Sequence, residues 1–281
     1  MKRVLLNGET IEGLLPIAET DRGLTLGDGL FETMLVVNRR PLWKHMHLAR
    51  MEGAARELGI VYDSDVVIAA IENLLDGIGP EHHVLRLTLT RGGATRGLAG
   101  NGASPTLIAA LDSFDAGLMF QPATLFTSTI RRSQDSLAAR MKTLSYIDNI
   151  AAAREAQSHG ADDALMLNST GKVACSTIAN IFLLKKNKLI TPARDQAILT
   201  GVTRQALIAA AQHIGIFTEE RIVTVTDLFR ADGAFLTNSL RLMRPVISVD
   251  KQPLPQPELS PLAHALCEAA RLQCGRDPRL I

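Results

Sequence analysis

Between Asp112 and Pro122 the regular patterning of the chain breaks, with Gly117 and Pro122 interrupting the stretch. Periodic strand and helix patterns stand on both sides of the break, so a domain boundary is expected there. A chain of 281 residues is long enough for two such units, each with its own core. The expected division is an N-terminal domain over 1–115 and a C-terminal domain over 116–281. Strand and helix periods occur in both, which makes the fold class mixed α/β (α+β).

In the first half, Val4 to Leu6 reads as a short strand closed by the turn Asn7-Gly8. Asp21-Arg22-Gly23 and Gly27-Asp28-Gly29 flank Leu24-Thr25-Leu26, which reads as a loop with more than one sharp turn. A strand over Leu30 to Val37 follows, its alternation placing Phe31, Thr33 and Leu35 on one face. Helices are expected over Lys44 to Gly59 and Ser64 to Asp76. The first has the apolar stripe Met51, Ala54, Ala55 and Leu58, with Arg50 at its border. A strand from Val84 to Thr90 runs into the glycine-rich loop Arg91 to Gly97, and a strand from Pro105 to Leu111 follows. Glycine lets that loop bring Arg91 or Arg96 to an anion; the alternative is a basic hairpin tip.

In the second half, a strand from Ala123 to Ile130 leads into a polar loop, Arg131 to Arg140. Lys142 comes next, immediately ahead of a helix from Ile147 to Gln157 that Gly160 closes. Strands are expected at Ala164 to Leu167, Ile178 to Leu184 and Leu189-Ile190, with a turn at Asn168 to Gly171. Thr200-Gly201-Val202-Thr203 opens a helix reaching Ile214. The backbone N–H groups at its start suit either an ordinary cap or an anion. A strand from Gly233 ends in Thr237-Asn238-Ser239, three side chains able to donate hydrogen bonds to an anion. A strand over Val246 to Val249 and a helix opened by Ser260-Pro261 complete the chain.

Composition narrows the function classes. Net charge is +1 and aromatic residues make up 4%, which argues against nucleic acid or an acidic membrane surface as partner. No run approaches the roughly 18 apolar residues of a membrane span. Cys175, Cys267 and Cys274 show no CxxC spacing, as expected of a protein from a reducing, cytoplasmic compartment. There is no GxSxG, no GxxxxGK[ST], and no GxGxxG between a strand and a helix. His45 and His47 stand two apart on a helix and point to different sides, so no metal site is expected.

What remains is one lysine and several anion-binding elements. Lys142 is either a solvated surface charge or a reactive amine, the side chain that forms a Schiff base with a carbonyl. Arg50, the helix start at 201–203 and the strand end at 237–239 can hold a phosphate. Together they suit an aldehyde cofactor carrying a phosphate, for which pyridoxal 5'-phosphate is the natural candidate.

These segments, in order, resemble the fold-type IV pyridoxal phosphate enzymes, the class that includes D-amino-acid and branched-chain aminotransferases and 4-amino-4-deoxychorismate lyases. The resembling segments are Asp21-Arg22-Gly23, Gly27 to Thr33, His47 to Arg50, Lys142-Thr143-Leu144 and Gly160 to Ala164. They continue with Ala179 to Phe182, Gly201 to Arg204 and Thr237-Asn238-Ser239 ahead of Pro245-Val246. The resemblance implies a two-domain α/β fold with the cofactor in the interdomain cleft and a homodimer in which partner loops complete the pocket. It implies that Lys142 is the Schiff-base lysine and moves the proton at the substrate's α-carbon. Arg50, the N–H groups of Val202 and Thr203, Asn238 and Ser239 would bind the cofactor, and Phe31 and Arg96 the substrate, a small amine or amino acid.

One position departs from the family pattern. Cys175 stands where the family usually has the glutamate that faces the pyridine nitrogen. A thiol, with an ordinary pKa of about 8.5, supports protonation of that nitrogen poorly. Transamination relies on the electron sink that the carboxylate maintains, and an elimination tolerates a weaker one. Phe31 and Leu98 replace the tyrosine and histidine of the D-amino-acid aminotransferase carboxylate trap. The resemblance therefore favours the lyase, which makes 4-aminobenzoate and pyruvate for folate biosynthesis. The alternatives are an amino-acid aminotransferase and, third, a non-catalytic homologue.

Overall fold

In a computed structural model the described residues are 3–94, 97–100, 102 and 104–280. The chain forms two compact units that are not continuous in sequence. The first comprises Met1–Ala116, Met141–Ser145 and Ala270–Ile281; the second comprises Gly117–Arg140 and Tyr146–Ala269. Lys142, expected in the C-terminal domain, thus belongs to the first unit.

The first unit is a six-stranded antiparallel sheet with helices on one face. Its elements are β1 (Arg3–Leu6), β2 (Glu9–Thr10), α1 (Arg22–Leu26), β3 (Gly29–Val37), β4 (Arg40–Pro41), α2 (Lys44–Leu58), α3 (Ser64–Leu75), β5 (His83–Thr90) and β6 (Thr106–Ser113). The strand order is β2-β1-β6-β5-β3-β4. Leu30, Met34, Leu85, Leu87, Leu89, Ala109 and Leu111 fill one face and pack with Met51, Ala55, Val67, Ile71 and Leu74 of the two helices. The expected loop after Asp21 is the short helix α1. The Asp21 side chain caps it by accepting from Gly23 N, and Gly27, with φ of 68°, ends it. Five residues are too few to show a helical period in sequence.

The second unit carries β7 (Ala123–Arg132), α4 (Leu137–Arg140), α5 (Ile147–Ser158), β8 (Asp163–Asn168), β9 (Val173–Ser176), β10 (Asn180–Lys185) and β11 (Lys188–Pro192). It continues with α6 (Val202–His213), β12 (Thr218–Arg221), α7 (Val225–Arg230), β13 (Gly233–Asn238), β14 (Leu242–Val249) and β15 (Gln252–Pro253). The last helix, α8 (Ser260–Cys274), begins here. The sheet runs β12-β11-β10-β13-β14-β7-β8-β9, and β9 also pairs with β10, so six of its strands close into a ring. Strand β7 lies parallel to both β8 and β14. Two short elements occupy the stretch expected to be loop before Lys142: the end of β7 and α4. Among the described residues no helix is long and apolar enough to cross a membrane.

Candidate active site

The first unit brings Lys142 against strand β3. Phe31 N donates to the Lys142 carbonyl at 3.0 Å, Leu144 N donates to the Gly29 carbonyl at 2.9 Å, and Leu30 and Thr143 form an antiparallel bridge. The lysine backbone is therefore fixed by a strand edge and not by the helix that follows it. Gly29 permits the approach, because a Cβ there would lie 2.8 Å from Leu144 Cδ1 and 2.7 Å from the Leu89 carbonyl oxygen. The Lys142 Nζ stands 4.2 Å from the centroid of the Phe31 ring.

Beside it, Glu32 is fully buried and carries three hydrogen bonds. Period-two alternation turns Glu32 to the face that α2 covers, where His47 and Arg50 project one helical turn apart. His47 Nδ1 lies 2.6 Å from Glu32 Oε2, and the carboxylate, which only accepts, requires the proton on that nitrogen. Arg50 donates Nε to Oε1 and Nη2 to Oε2, each at 2.7 Å, a two-pronged pair. Burial pushes the Glu32 carboxyl up, but Arg50 and His47 more than reverse this and hold it at about 2. Burial lowers Lys142 to about 8; Glu32 opposes the fall, and Arg50 and Arg86 add to it. A lysine with that pKa has about a tenth of its amine neutral and nucleophilic at pH 7, far more than an ordinary lysine.

In the second unit, taken by itself, hydrogen-bond donors stand at the start of α6. No side chain caps this helix, and Val202 and Thr203 in its first turn are buried. Gly201 is required by a close approach, since a Cβ there would overlap Asn180 Oδ1. Asn180 in turn donates Nδ2 to the Leu199 carbonyl at 2.8 Å and sits opposite Thr237 in the β10–β13 register. The hydroxyls of Thr203 and Thr237 are both buried and have no hydrogen-bond partner. Leaving such a group unsatisfied costs about 1–3 kcal/mol, so two of them beside an uncapped helix start fit a group rich in acceptor oxygens. A phosphate is such a group. Thr237 belongs to the strand end expected to donate to an anion, although the family resemblance assigns only Asn238 and Ser239 of that segment to the cofactor.

The remaining expected residues fall in several places. Asn238 Oδ1 accepts from the backbone N–H groups of Leu240 and Arg241, so this oxygen shapes the turn after β13. Ser239 is half-buried in that turn. Arg91 is not available to an anion: it donates to Asp28 at 2.8 and 3.2 Å and to the carbonyls of Leu58 and Gly59. Arg96 lies outside the described residues. Cys175 on β9 is buried among Ala152, Ala156, Ala164, Met166 and Ile198. Burial raises its thiol pKa, with Arg132 opposing and Asp163 reinforcing, so the thiol is neutral. Sequence reasoning missed Glu32 and His47 as members of the lysine cluster. The signal available was the His47/Arg50 spacing of three on one helix, opposite an acidic residue in an otherwise apolar strand.

Comparison with known proteins supplies the wider frame. The family profile described as "Amino-transferase class IV" matches residues 29–249. A Methanocaldococcus jannaschii protein bearing the name of a branched-chain-amino-acid aminotransferase is 30% identical over 259 residues, covering 88% of each chain. A Mycobacterium tuberculosis protein named "Bifunctional aminodeoxychorismate lyase / D-amino acid transaminase" is 28% identical over 290 residues, 95% of this chain and 98% of that one. Among solved structures, the PLP-bound form of a hypothetical aminotransferase from Mycobacterium tuberculosis superposes with a TM-score of 0.84 at 26% identity, covering 95% and 98% of the two chains. A profile spanning most of the sequence, a relative matched over nearly the whole chain and a shared fold agree: this chain belongs to the class IV aminotransferase family.

Proposed function

We propose that the protein is a pyridoxal 5'-phosphate-dependent lyase that converts 4-amino-4-deoxychorismate to 4-aminobenzoate and pyruvate. When bound, the cofactor supplies an aldehyde that links covalently to an amine and a ring that withdraws electrons from the amine-bearing carbon. In this reading Lys142 holds the aldehyde and then moves the proton at that carbon. Arg50, the N–H groups of Val202 and Thr203, Asn238 and Ser239 hold the phosphate and ring, and Thr203 and Thr237 add hydroxyl donors. Phe31 and Arg96 contact the substrate. The products together contain every atom of the substrate, so the reaction consumes neither water nor a redox partner. We place the enzyme in the cytoplasm, on its cysteine usage, and as a homodimer, as the family resemblance implies.

The observation that carries the preference for the lyase is the neutral, buried thiol of Cys175. With no carboxylate at that position the electron sink is weaker. Elimination tolerates this because the departing enolpyruvyl oxygen takes up charge. Transamination has no such outlet. The second reading, an amino-acid aminotransferase, is supported by the relatives named for that activity.

Two experiments separate these readings. Borohydride treatment of the purified protein is expected to leave a pyridoxyl group on Lys142, found by peptide mass spectrometry. Failure to take up cofactor at all would support a non-catalytic homologue. Parallel assays then follow formation of 4-aminobenzoate and conversion of bound pyridoxal to pyridoxamine by D- and L-amino acids. Cys175→Glu is expected to speed the second reaction, because it restores the carboxylate that the family pattern places opposite the ring nitrogen to keep it protonated. An unchanged or slower transamination rate would count against the role assigned to Cys175.

A further inference from the structure

Strands β5 and β6 are neighbours, yet β5 ends at Thr90 and β6 begins at Thr106, so residues 91–105 join them. A hairpin needs about 2–5 residues for that connection, and a loop several times longer usually serves a function. The loop is closed at its base. A Cβ on Gly92 would stand 1.7 Å from the Ser104 carbonyl oxygen, and one on Gly102 2.0 Å from that of Arg91, so the limbs meet backbone to backbone. Helix α1 is fastened to the same base. Arg22 N donates to the Gly92 carbonyl at 3.0 Å, and the Thr90 and Thr106 hydroxyls donate to Asp21 Oδ2 at 2.8 and 2.7 Å. From this post the Arg22 side chain reaches the far part of the loop. It donates Nη1 to the Gly97 carbonyl at 2.9 Å and Nη2 to the Leu98 carbonyl at 2.8 Å. Its Nε donates to Asp28 Oδ2 at 2.8 Å, an oxygen that Arg91 Nε also reaches at 2.8 Å. Asp28 directly precedes Gly29, the first residue of β3, whose carbonyl accepts from Leu144 N two residues after Lys142.

We propose that Arg22 is a positioning residue for substrate binding. It ties the 91–105 loop to the strand on which Lys142 is anchored, and so fixes where Arg96 meets the substrate. Arg96 immediately precedes Gly97 in sequence, and the assignment rests on the substrate role that the proposed function gives it. All three nitrogens of the planar guanidinium are used, on one carboxylate and two consecutive carbonyls, a pattern an ammonium cannot reproduce. The Arg22 side chain is 9% exposed, so water competes little for these bonds. Without them the ordering of a long loop would fall on the substrate. Apparent affinity would then drop in proportion to the fraction of time the loop is correctly placed. Arg22 thus acts through the loop and not on the substrate itself.

The test compares the cofactor-loaded native enzyme with Arg22→Met, Arg22→Lys and Gly97→Ala. For an amine substrate that the enzyme turns over, Arg22→Met should raise KM about tenfold, as for a loop correctly placed about a tenth of the time, with kcat changed far less. Arg22→Lys should recover part of this through a single carbonyl contact. Gly97 offers a second route, since its φ is 126° and nothing lies within 4 Å of where its Cβ would stand. Alanine there strains the backbone, displaces the two carbonyls and leaves the Arg22–Asp28 pair whole, so KM should rise again. Hydrogen exchange gives a readout independent of turnover. Peptides from 91–105 should exchange faster in Arg22→Met than in the native enzyme, and peptides from β3 at the native rate. A purely structural residue would lower the unfolding midpoint and move neither KM nor the exchange of this loop alone. Unchanged KM in the folded variants would overturn the assignment, and so would unchanged loop exchange. If Arg22→Met does not fold, Gly97→Ala decides by the same two readouts. If the native enzyme turns over no amine, the proposed function fails; faster loop exchange then upholds the grip of Arg22 on the loop, and native exchange refutes it.

Discussion

Replacing Glu32 by glutamine should cost the fold about 3–5 kcal/mol, as expected when one partner of a buried ion pair is removed. The carboxylate is 0% exposed and joins three groups, His47 and both prongs of Arg50. An amide cannot accept from all of them as an anion does, and it leaves the Arg50 guanidinium without its countercharge. The loss should appear as a lower denaturant midpoint with an unchanged slope. Its pH dependence follows from the direction of the Glu32 shift. The folded-state pKa, about 2, is below the ordinary 4.5, so the stabilisation is complete above pH 4.5 and disappears as pH falls through about 2. Native protein and variant should therefore converge on acidification. A double variant, Glu32→Gln with Arg50→Met, should regain part of the loss because no charge is left unpaired. If Glu32→Gln alone unfolds at the native midpoint, the cluster does not stabilise the unit.

Lys142→Met should do the opposite to stability while abolishing turnover. The ammonium is half-buried and its pKa falls from 10.5 to about 8, so the folded state disfavours its proton. The full shift corresponds to about 3 kcal/mol, and partial contact with water reduces the expected gain to about 2 kcal/mol for the cofactor-free protein at pH 7. The sign is fixed by linkage. Between pH 8 and 10.5 the unfolded chain binds more protons at this residue than the folded one, so the native protein recovers stability as pH rises. The advantage of Lys142→Met should fade across that window. Thermal unfolding at pH 7 and pH 10 checks it; a methionine variant no more stable at pH 7 would show that the site does not penalise the charge. The lysine proposed above as the reactive amine would then be costly to fold around, as a stability–function trade-off predicts.

Much of the fold was legible because long periodic segments carry their own signal. The helix expected over Lys44 to Gly59 is observed over Lys44–Leu58, with Gly59 in the left-handed conformation as its cap. The elements not read were those whose pattern is too short or contradicts their environment. Strand β9 is four residues, all buried, and shows no alternation; β12 is Thr218-Glu219-Glu220-Arg221, a sequence with little strand character. Strand β12 exists because it pairs parallel to β11. In the site, Lys142 was legible as a residue and not in its anchoring. Its partners on β3 are more than a hundred positions away and meet it only through the sheet. Glu32 escaped notice for a related reason, since His47 and Arg50 lie 15 and 18 residues from it.

The strand ring of the second unit bears on how many open strand edges the molecule presents. A strand with unpaired amides invites another chain to extend the sheet. In this unit β9 has neighbours on both sides, so that end of the sheet offers no template. At the other end stands β12, whose charged side chains and four-residue length make it a poor surface for intermolecular pairing. In the first unit the outermost strands, β2 and β4, have only two residues each. Nine strands in one sheet and six in the other are thus built with little edge for aggregation to use.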